Sequence, residues 1–470
     1  MVDLAIPRNP HLSPIPPSFL GLSTEYWTLP VDEQHVALYG RVISLLHVVG
    51  DGPFVLRIGG DSSDHTFYAP RVTRVPRWAF DLTPAFVTRT VKVVSHLHLR
   101  VILDLNLVTG IPPLLKAGVE EAQKVLPAGT VIGYEIGNEP DLYNRRFWLR
   151  TTQSFRPHEV VLPREITPRI YAADYDAYAR VLARIAPRVP VLAPALAYPD
   201  RARSWIRTLL ERPHPGLRVI SAHRYPYSAC VPHSSPDYPT IARILSERGT
   251  AGMAQSVRPV VRLAKRAGLT VRLTEFNSVT CGGLQGVSNT FATALWAPDA
   301  LFELIRAGVA AVNLHAREYA INDPFTFTAH GLLARPLLYG LILFTRTLGP
   351  GAQLVPVNLR GARALELKAW AVRVGQRQLN VLLINKGSRR IRVRLALPAT
   401  GSARLERMLA PSVTSSAGVT LAGQSLGPDA IWTGTKRSEV VVPDADHYAV
   451  TLSPYGAALL SVRVATSFAR

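Results

Sequence analysis

Eight short apolar runs alternate with longer amphipathic segments over residues 19–349. The runs have the length of β-strands, and the segments between them repeat apolar residues at helical spacing. We predict strands within residues 19–26, 53–62, 99–108, 130–139, 189–196, 217–226, 269–278 and 309–319. Helices are predicted at 33–50, 84–97, 174–186, 256–268, 297–308 and 335–349. This alternation is typical of α/β proteins with a parallel sheet.

Two α/β architectures fit the alternation, a closed (β/α)8 TIM barrel and a doubly wound open sheet. Seven of the eight runs are apolar first and polar at the C-terminal end. In a barrel these ends converge on one mouth, where active sites lie, so the pattern favours the barrel. The polar residues at the ends are Glu25, Asp61, Asn106, Asn138, Glu139, His223, Tyr225, Glu275, His315 and Tyr319.

The pattern changes near residue 350. From there, apolar and polar residues alternate with a period of two, and Gly, Pro, Asn and Asp divide the alternation into short strands. This pattern predicts a C-terminal antiparallel β-sandwich. We therefore divide the chain into an N-terminal arm at 1–18, which could add a strand to the sandwich, a barrel at 19–349 and a sandwich domain at 350–470.

The net charge of +20 would attract a polyanion, but the basic residues are scattered and form no dense block interleaved with aromatic residues. We therefore expect no nucleic-acid partner. The most apolar segment contains Arg335 and Pro336, so we also expect no membrane span. The N-terminus lacks the apolar region of a signal peptide, which leaves a cytoplasmic location and secretion after processing both open.

The sequence has no CxxC, HExxH, Walker or strand-linked GxGxxG motif, so we expect neither a metal nor another cofactor. Its two cysteines, Cys230 and Cys281, follow the sixth and seventh predicted strands, which are neighbours in a barrel. They either form a disulfide that braces two loops or remain free thiols. A disulfide would favour an oxidising compartment.

Two glutamates end predicted strands that face each other across the mouth. Glu139 ends the fourth strand and Glu275 ends the seventh. Retaining glycoside hydrolysis needs such a pair, since one carboxyl protonates the leaving oxygen and the other attacks the anomeric carbon. The two carboxyl groups of such a pair lie about 5–5.5 Å apart. Asp141, two residues beyond Glu139, is interpreted as a turn residue.

The order of these motifs resembles the large clan of retaining barrel glycosidases. Within that clan, the chain resembles glycoside hydrolase family 79, the β-glucuronidase and heparanase family, over nearly its whole length. The resemblance rests on IPPSFLGLSTEYWTLP, VLRIGGDSSD, YEIGNEPDLY, AHRYPYS, LTEFNSVTCGGLQGVSNTFATALWAPDALF and VNLHAREYAINDPF.

This resemblance implies roles for residues near the two glutamates. Glu139 would be the acid/base and Glu275 the nucleophile. Asn138 would hydrogen-bond the sugar 2-hydroxyl, and Tyr225 would donate a hydrogen bond near the nucleophile. His223 is either a substrate contact or a core histidine.

The family implies a site for the carboxylate of a uronic acid. Backbone amides of the loop at Gly282 and Gly283 would hold it, together with Tyr319, because glycine lets a backbone approach an anion closely. Relatives often carry a tyrosine just before these glycines, whereas this chain has Thr280 and Cys281. This departure leaves the details of the carboxylate contacts open.

Asp61 and Glu25 resemble the family's hydroxyl-binding acids, with ion-paired structural acids as the alternative. The resemblance implies a retaining exo-β-D-glucuronidase acting on glucuronides or uronic-acid-containing oligosaccharides. Loops after the second strand and at 144–169 could close off the non-reducing end. The alternatives are an endo-acting, heparanase-like hydrolase of heparan-type glycosaminoglycans, an α-L-arabinofuranosidase or β-xylosidase, and an inactive polysaccharide-binding protein.

Overall fold

The computed structural model describes residues 1–7, 9–68, 79–143, 166–361, 366–399 and 401–464. Eight parallel strands close into a barrel, which confirms the predicted (β/α)8 fold. In chain order they are β1 Leu20–Glu25, β2 Val55–Gly59, β3 Arg100–Leu105, β4 Val131–Ile136, β5 Val191–Leu196, β6 Leu217–Arg224, β7 Thr270–Phe276 and β8 Ala311–His315. Each strand lies within the run predicted for it.

The barrel closes because β8 pairs with β1, with Val312 opposite Leu20 and Leu314 opposite Leu22. Going round the barrel, the strands follow one another in chain order, so β4 and β8 lie on opposite sides. Every residue of β1, β2 and β5 is buried, which explains why these runs are nearly continuously apolar.

Helices cover the outside of the barrel. Their bounds are Leu29–Gln34, Val36–Leu46, Pro84–His96, Pro112–Val125, Pro168–Ile185, Arg203–Leu209, Ile241–Leu245, Ala251–Arg266, Phe291–Ala307 and Pro336–Thr347. Two of them begin well before the predicted positions 256 and 297 and contain Pro259 and Pro298. Tertiary packing outweighs proline's helix-breaking tendency in both, since the apolar faces on either side of each proline are buried. None of the described helices is long and apolar enough to cross a membrane.

The C-terminal region forms two packed sheets. The smaller contains Asn358–Arg360, Val2–Ala5, Ile391–Ala396 and His447–Leu452 in spatial order. The larger runs from Ser13–Pro14 through Gln353–Val355, Leu367–Val374, Gln378–Asn385, Gly456–Arg463 and Ala403–Leu409 to Thr420–Leu421, with Glu439–Val441 beside Ala403–Leu409. The pairing is antiparallel except between Val2–Ala5 and Ile391–Ala396, which run parallel. The N-terminal arm therefore contributes one strand to each sheet.

The larger sheet also packs against the barrel helices. Trp370 stacks on Phe302 with ring centroids 5.3 Å apart, and its indole nitrogen donates to the buried carboxylate of Asp299, 3.0 Å away. Lys386, just after the strand Gln378–Asn385, also donates to Asp299. Residues of this sheet thus belong to the same apolar core as the barrel helices, while its other face forms a separate core with the smaller sheet.

Candidate active site

The turn after β4 carries Glu139 into the mouth of the barrel. β4 ends at Ile136, and Glu139 has a left-handed backbone with a φ of 50°, which is uncommon for a residue other than glycine. Its N–H donates to the carbonyl of Ala195 at 3.0 Å, which fixes this turn to the end of β5. The side chain is 20% exposed, so its carboxyl reaches the open side of the mouth.

Glu275 lies within β7, and both of its carboxylate oxygens have partners. Arg57 donates to Oε1 at 2.8 Å, and the Tyr225 hydroxyl donates to Oε2 at 3.0 Å. Burial opposes ionisation of this carboxyl, but the charges of His223, His315 and Arg57 and the bond from Tyr225 outweigh it and hold its pKa well below the usual range. Glu275 is therefore an ionised carboxylate in a largely buried position.

His223, on β6, links the two glutamates. Its Nδ1 shares a hydrogen bond with Oε1 of Glu139 at 2.9 Å and lies 3.7 Å from Oε2 of Glu275. Burial lowers the pKa of His223, but the charge of Glu275 and the bond to Glu139 outweigh it, so the pKa is raised. The structure thus brings His223 between the two carboxyls.

Glu139, His223 and Glu275 each offer one ligand atom, and these atoms lie within 4.8 Å of one another, a spacing that could also hold a metal ion. Both oxygens of Glu275 and the Nδ1 of His223 already have protein partners, however. The arrangement is that of an acid–base cluster.

A buried arginine holds the base of the site together, and the sequence reasoning missed it. Arg57, on β2, is fully buried and bonds Asp104 and Glu135 as well as Glu275, each at 2.8 Å. It also donates to Oδ1 of Asn138 at 3.1 Å, which leaves the amide N–H groups of Asn138 for another acceptor. The sequence does contain a signal for this cluster, since β2, β3 and β4 each have a charged residue inside an otherwise apolar run, namely Arg57, Asp104 and Glu135.

Glu25 and His315 form the wall next to Glu275. Glu25 is 1% exposed, and its Oε2 accepts from the backbone of Ser62 at 2.8 Å. Nε2 of His315 lies 3.5 Å from Oε1 of Glu25, and its Nδ1 lies 3.9 Å from Oε1 of Glu275. Burial lowers the pKa of His315, but the charges of Glu275 and Glu25 raise it to about 9.

Asp61 follows β2 at the rim of the mouth, with a half-exposed side chain. Partial enclosure is the largest cause that raises its pKa, to about 7, and the charges of Glu25, Glu139 and Glu275 add to it. Arg317 opposes this rise and lies 3.7 Å from Oδ2 of Asp61. Asp61 therefore lies near enough to these three carboxyls for their charges to affect it.

Gly282 and Gly283 follow β7 in a left-handed turn, with φ values of 75° and 88°. A Cβ on Gly283 would meet the backbone nitrogen of Asn322 at 2.8 Å, so packing requires this glycine. A Cβ on Gly282 would meet only Nη2 of Arg317 among the described atoms within 4 Å. The side chain of Tyr319 is 76% exposed, and no contact between described residues joins it to the carboxylates.

Two other polar residues near the strand ends organise the backbone. The carboxylate of Asp141 accepts the backbone N–H groups of Ala197 and Tyr198, at 2.9 and 3.1 Å, and so joins the turn after β4 to the loop after β5. Asn106 donates to the carbonyls of Asp64 and Thr66. Both residues shape the mouth without facing the two glutamates in any described contact.

Cys230 and Cys281 form a disulfide across 51 residues of sequence. It joins the loop after β6 to the loop after β7, and two short parallel strands, Tyr227–Ser228 and Val279–Thr280, lie just before its two ends. The disulfide therefore braces the segment that leads to Gly282. Residues 144–165 of the predicted closing loop, and residues 69–78 of the loop after β2, lie outside the described residues.

The sequence matches no protein-family model and no curated protein. Solved structures of glycoside hydrolases nevertheless share its fold along the whole chain. A 4-O-α-L-rhamnosyl-β-D-glucuronidase from Fusarium oxysporum 12S, in complex with Rha-GlcA, superposes with a TM-score of 0.78 at 16% identity, covering 98% of this chain and 100% of that one. An α-L-arabinofuranosidase from Thermotoga maritima gives a TM-score of 0.68 at 15% identity, covering 99% and 100%.

A third neighbour is Cel44A, a family 44 endoglucanase from Clostridium thermocellum. Its TM-score is 0.64 at 13% identity, with 98% of this chain and 99% of that one covered. At these identities the likeness establishes the fold, and membership of family 79 stays a prediction.

Proposed function

We propose that the protein is a retaining exo-β-D-glucuronidase that hydrolyses terminal β-glucuronides. The observation that carries the proposal is the pairing of Glu139 and Glu275 through His223, with oxygens of the two carboxyls within 4.8 Å of each other. Oxygens this close fit the retaining mechanism, whose carboxyl groups lie about 5–5.5 Å apart, better than the inverting one, whose carboxyl groups lie about 6.5–9.5 Å apart.

In the first step, Glu139 gives its proton to the glycosidic oxygen while the carboxylate of Glu275 attacks the anomeric carbon. The bond to the leaving alcohol breaks and a glycosyl ester of Glu275 forms. In the second step, Glu139 takes a proton from a water molecule that attacks the same carbon, which frees Glu275 and gives a product of retained configuration. Because His223 bonds Oε1 of Glu139, the proton in transit belongs on Oε2.

The surroundings of Glu275 suit a nucleophile. Arg57 and Tyr225 bond its two oxygens and stabilise the ionised form that the attack requires. Asn138 is held by its carbonyl oxygen on Arg57, so its amide N–H groups can donate to the sugar 2-hydroxyl, a contact that can strengthen in the transition state.

The assignment of glucuronic acid rests on the resemblance to family 79, on the turn at Gly282 and on a structural neighbour whose name describes a glucuronidase. The neighbouring arabinofuranosidase favours a second candidate, α-L-arabinofuranosidase activity, on the same pair of glutamates. Exo-action is proposed ahead of endo-action because the cationic residues are scattered and form no continuous track.

A panel of aryl glycosides tests these assignments. We expect hydrolysis of the β-D-glucuronide and little of the matching glucoside, xyloside and arabinofuranoside, and activity confined to a neutral sugar would overturn the choice of substrate. Glu275→Gln and Glu139→Gln should each lower kcat by at least about 100-fold, whereas Glu211→Gln, on the exposed surface, should not.

The stereochemistry separates retention from inversion. NMR of the first-formed sugar should show the β-anomer, and azide added to Glu139→Ala should give the β-glycosyl azide from the trapped ester. An α-anomer as first product, or full activity in Glu275→Gln, would refute the mechanism.

A further inference from the structure

Arg317 stands at the rim of the mouth with donor groups to spare. It follows the end of β8 by two residues, and its side chain is 37% exposed. Its one salt-bridge partner among the described residues is Asp61, at 3.7 Å, and no hydrogen bond from the guanidinium is made within that part of the chain. An arginine has five N–H donors, so this guanidinium can still bind an anion.

The backbone around Arg317 is fixed although its side chain is partly exposed. Its N–H donates to Oδ1 of Asp323 at 2.6 Å, and its carbonyl accepts from Ala320 at 2.9 Å. The next turn is tied to the loop after β7, because the N–H of Ile321 donates to the carbonyl of Gly282 at 2.6 Å. The loops after β7 and β8 therefore form one braced wall.

That wall contains two donors that lie close to each other. Nη2 of Arg317 lies 3.6 Å from the position of a Cβ on Gly282, so the guanidinium sits over a glycine backbone that carries no side chain. The N–H of Gly282 makes no hydrogen bond within the described part of the chain. A guanidinium beside a free backbone N–H is a suitable receptor for a carboxylate.

The order of the strands indicates which part of a sugar would reach this wall. In a pyranose ring C2 lies opposite C5, and in this barrel β4 lies opposite β8. A sugar whose C2 side is held by Asn138, after β4, thus directs the substituent on C5 towards the loop after β8. Its C1 then lies on the side of β7 and Glu275, and its C3 and C4 lie on the side of Glu25 and Asp61.

We propose that Arg317 binds the carboxylate on C5 of a uronic acid. It would act beside the N–H of Gly282 and the carboxylate of Asp61, for which the resemblance to family 79 already implies contacts with the uronic acid's carboxylate and with a sugar hydroxyl. This inference rests on the proposed function and names the residue that selects its substrate. The carboxylate and the C4 hydroxyl are adjacent on the sugar, as Arg317 and Asp61 are adjacent in the wall.

A neutral hexose tests the specificity of this contact, because it differs from the uronic acid only at C6. We expect Arg317→Ala to lower kcat/KM for an aryl β-D-glucuronide by about 10- to 150-fold, the range for loss of one hydrogen bond to a charged group. Most of the change should appear in KM. Slow hydrolysis of the matching glucoside and of the glucuronamide should be unchanged.

Arg317→Lys, which keeps the charge without the planar fork, should restore part of the loss, and Arg317→Gln should not. Arg262→Ala, on an exposed helix face, is the matched control and should behave as the wild type. Calorimetry in the Glu275→Gln background gives a second measure that needs no turnover. There Arg317→Ala should weaken binding of D-glucuronic acid at least about tenfold and leave binding of D-glucose unchanged.

The outcomes separate this inference from the proposed function. If the wild type does not hydrolyse the glucuronide, the proposed function is wrong and this inference falls with it. If the wild type does so and Arg317→Ala retains the activity, only the role of Arg317 is overturned. If Arg317→Ala loses the same factor of kcat/KM on the glucuronide and on the glucoside, the role of Arg317 is also overturned, whether or not its melting temperature falls. A purely structural residue would affect both substrates alike.

Discussion

Replacement of Arg57 by methionine should destabilise the whole barrel. The guanidinium is fully buried and bonds the carboxylates of Glu135, Asp104 and Glu275. Methionine would fill most of the volume but remove the positive charge that these three groups share. Removal of one member of a buried ion pair costs about 3–5 kcal/mol, a large share of the roughly 5–15 kcal/mol that stabilises a typical protein.

The loss should depend on pH in a direction that the charges determine. Without Arg57, burial raises the pKa values of the enclosed carboxyls above their unfolded values. A carboxyl with a raised folded-state pKa favours folding at pH values below its unfolded pKa and loses that contribution as the pH rises through the folded-state value. The difference between wild type and Arg57→Met should therefore be larger at pH 8 than at pH 5.

Urea unfolding, followed by tryptophan fluorescence at both pH values, measures this difference as the change in midpoint multiplied by the m-value. Arg207→Met, on an exposed helix face, is the control and should change stability by less than about 0.5 kcal/mol. Arg57→Lys keeps the charge but not the fork and should fall in between. A loss below about 1 kcal/mol for Arg57→Met, or one that does not change between pH 5 and pH 8, would refute the reasoning.

Three further changes test the site and its supports. Tyr225→Phe should lower kcat/KM by about 10- to 150-fold. Because the Tyr225 hydroxyl lowers the pKa of Glu275, its loss should also move the acidic limb of the pH profile to higher pH. An acidic limb that does not move would contradict this role. Asp299→Asn should destabilise the fold by about 3–5 kcal/mol at pH 7. Burial opposes ionisation of Asp299, but its lysine partners outweigh burial and lower its pKa. The contribution of Asp299 to stability should therefore shrink as the pH falls through that lowered pKa. Equal urea midpoints for wild type and Asp299→Asn at pH 7 would refute this prediction. Reduction of the Cys230–Cys281 disulfide, which spans 51 residues, should lower stability by up to about 4 kcal/mol in the chain-entropy model, whereas a variant with serine at both positions should not respond to reductant.

Much of the site could be predicted from the sequence because the topology assembles it. Once eight runs are read as barrel strands, their C-terminal ends must converge, so Glu139, Tyr225 and Glu275 come together without any knowledge of loop structure. The bond from Tyr225 to Glu275 and the position of Asn138 beside Arg57 are consequences of that convergence.

The rim of the site could not be predicted in this way, since it depends on loop conformations. Sugar binding by Tyr319 stays a prediction: its backbone is left-handed and its side chain is exposed. Arg317, two residues earlier, lies beside Asp61. Asp141 does lie in the turn predicted for it, and its carboxylate additionally joins two loops. A pattern of apolar and polar positions contains no information about such loop contacts.

The charges in the barrel interior show a further limit of sequence reasoning, because they give different pKa values to carboxyl groups that look equivalent in the sequence. Three carboxyls share Arg57, and one guanidinium cannot offset three negative charges in a buried site. Burial, and then the charges of Glu135 and Asp64, raise the pKa of Asp104 well above its usual range in spite of Arg57. Glu275 has two histidines and Tyr225 beside it as well, and its pKa is lowered. Asp104 therefore takes up a proton at a higher pH than Glu275 does, so the barrel interior supports the ionised form that a nucleophile needs.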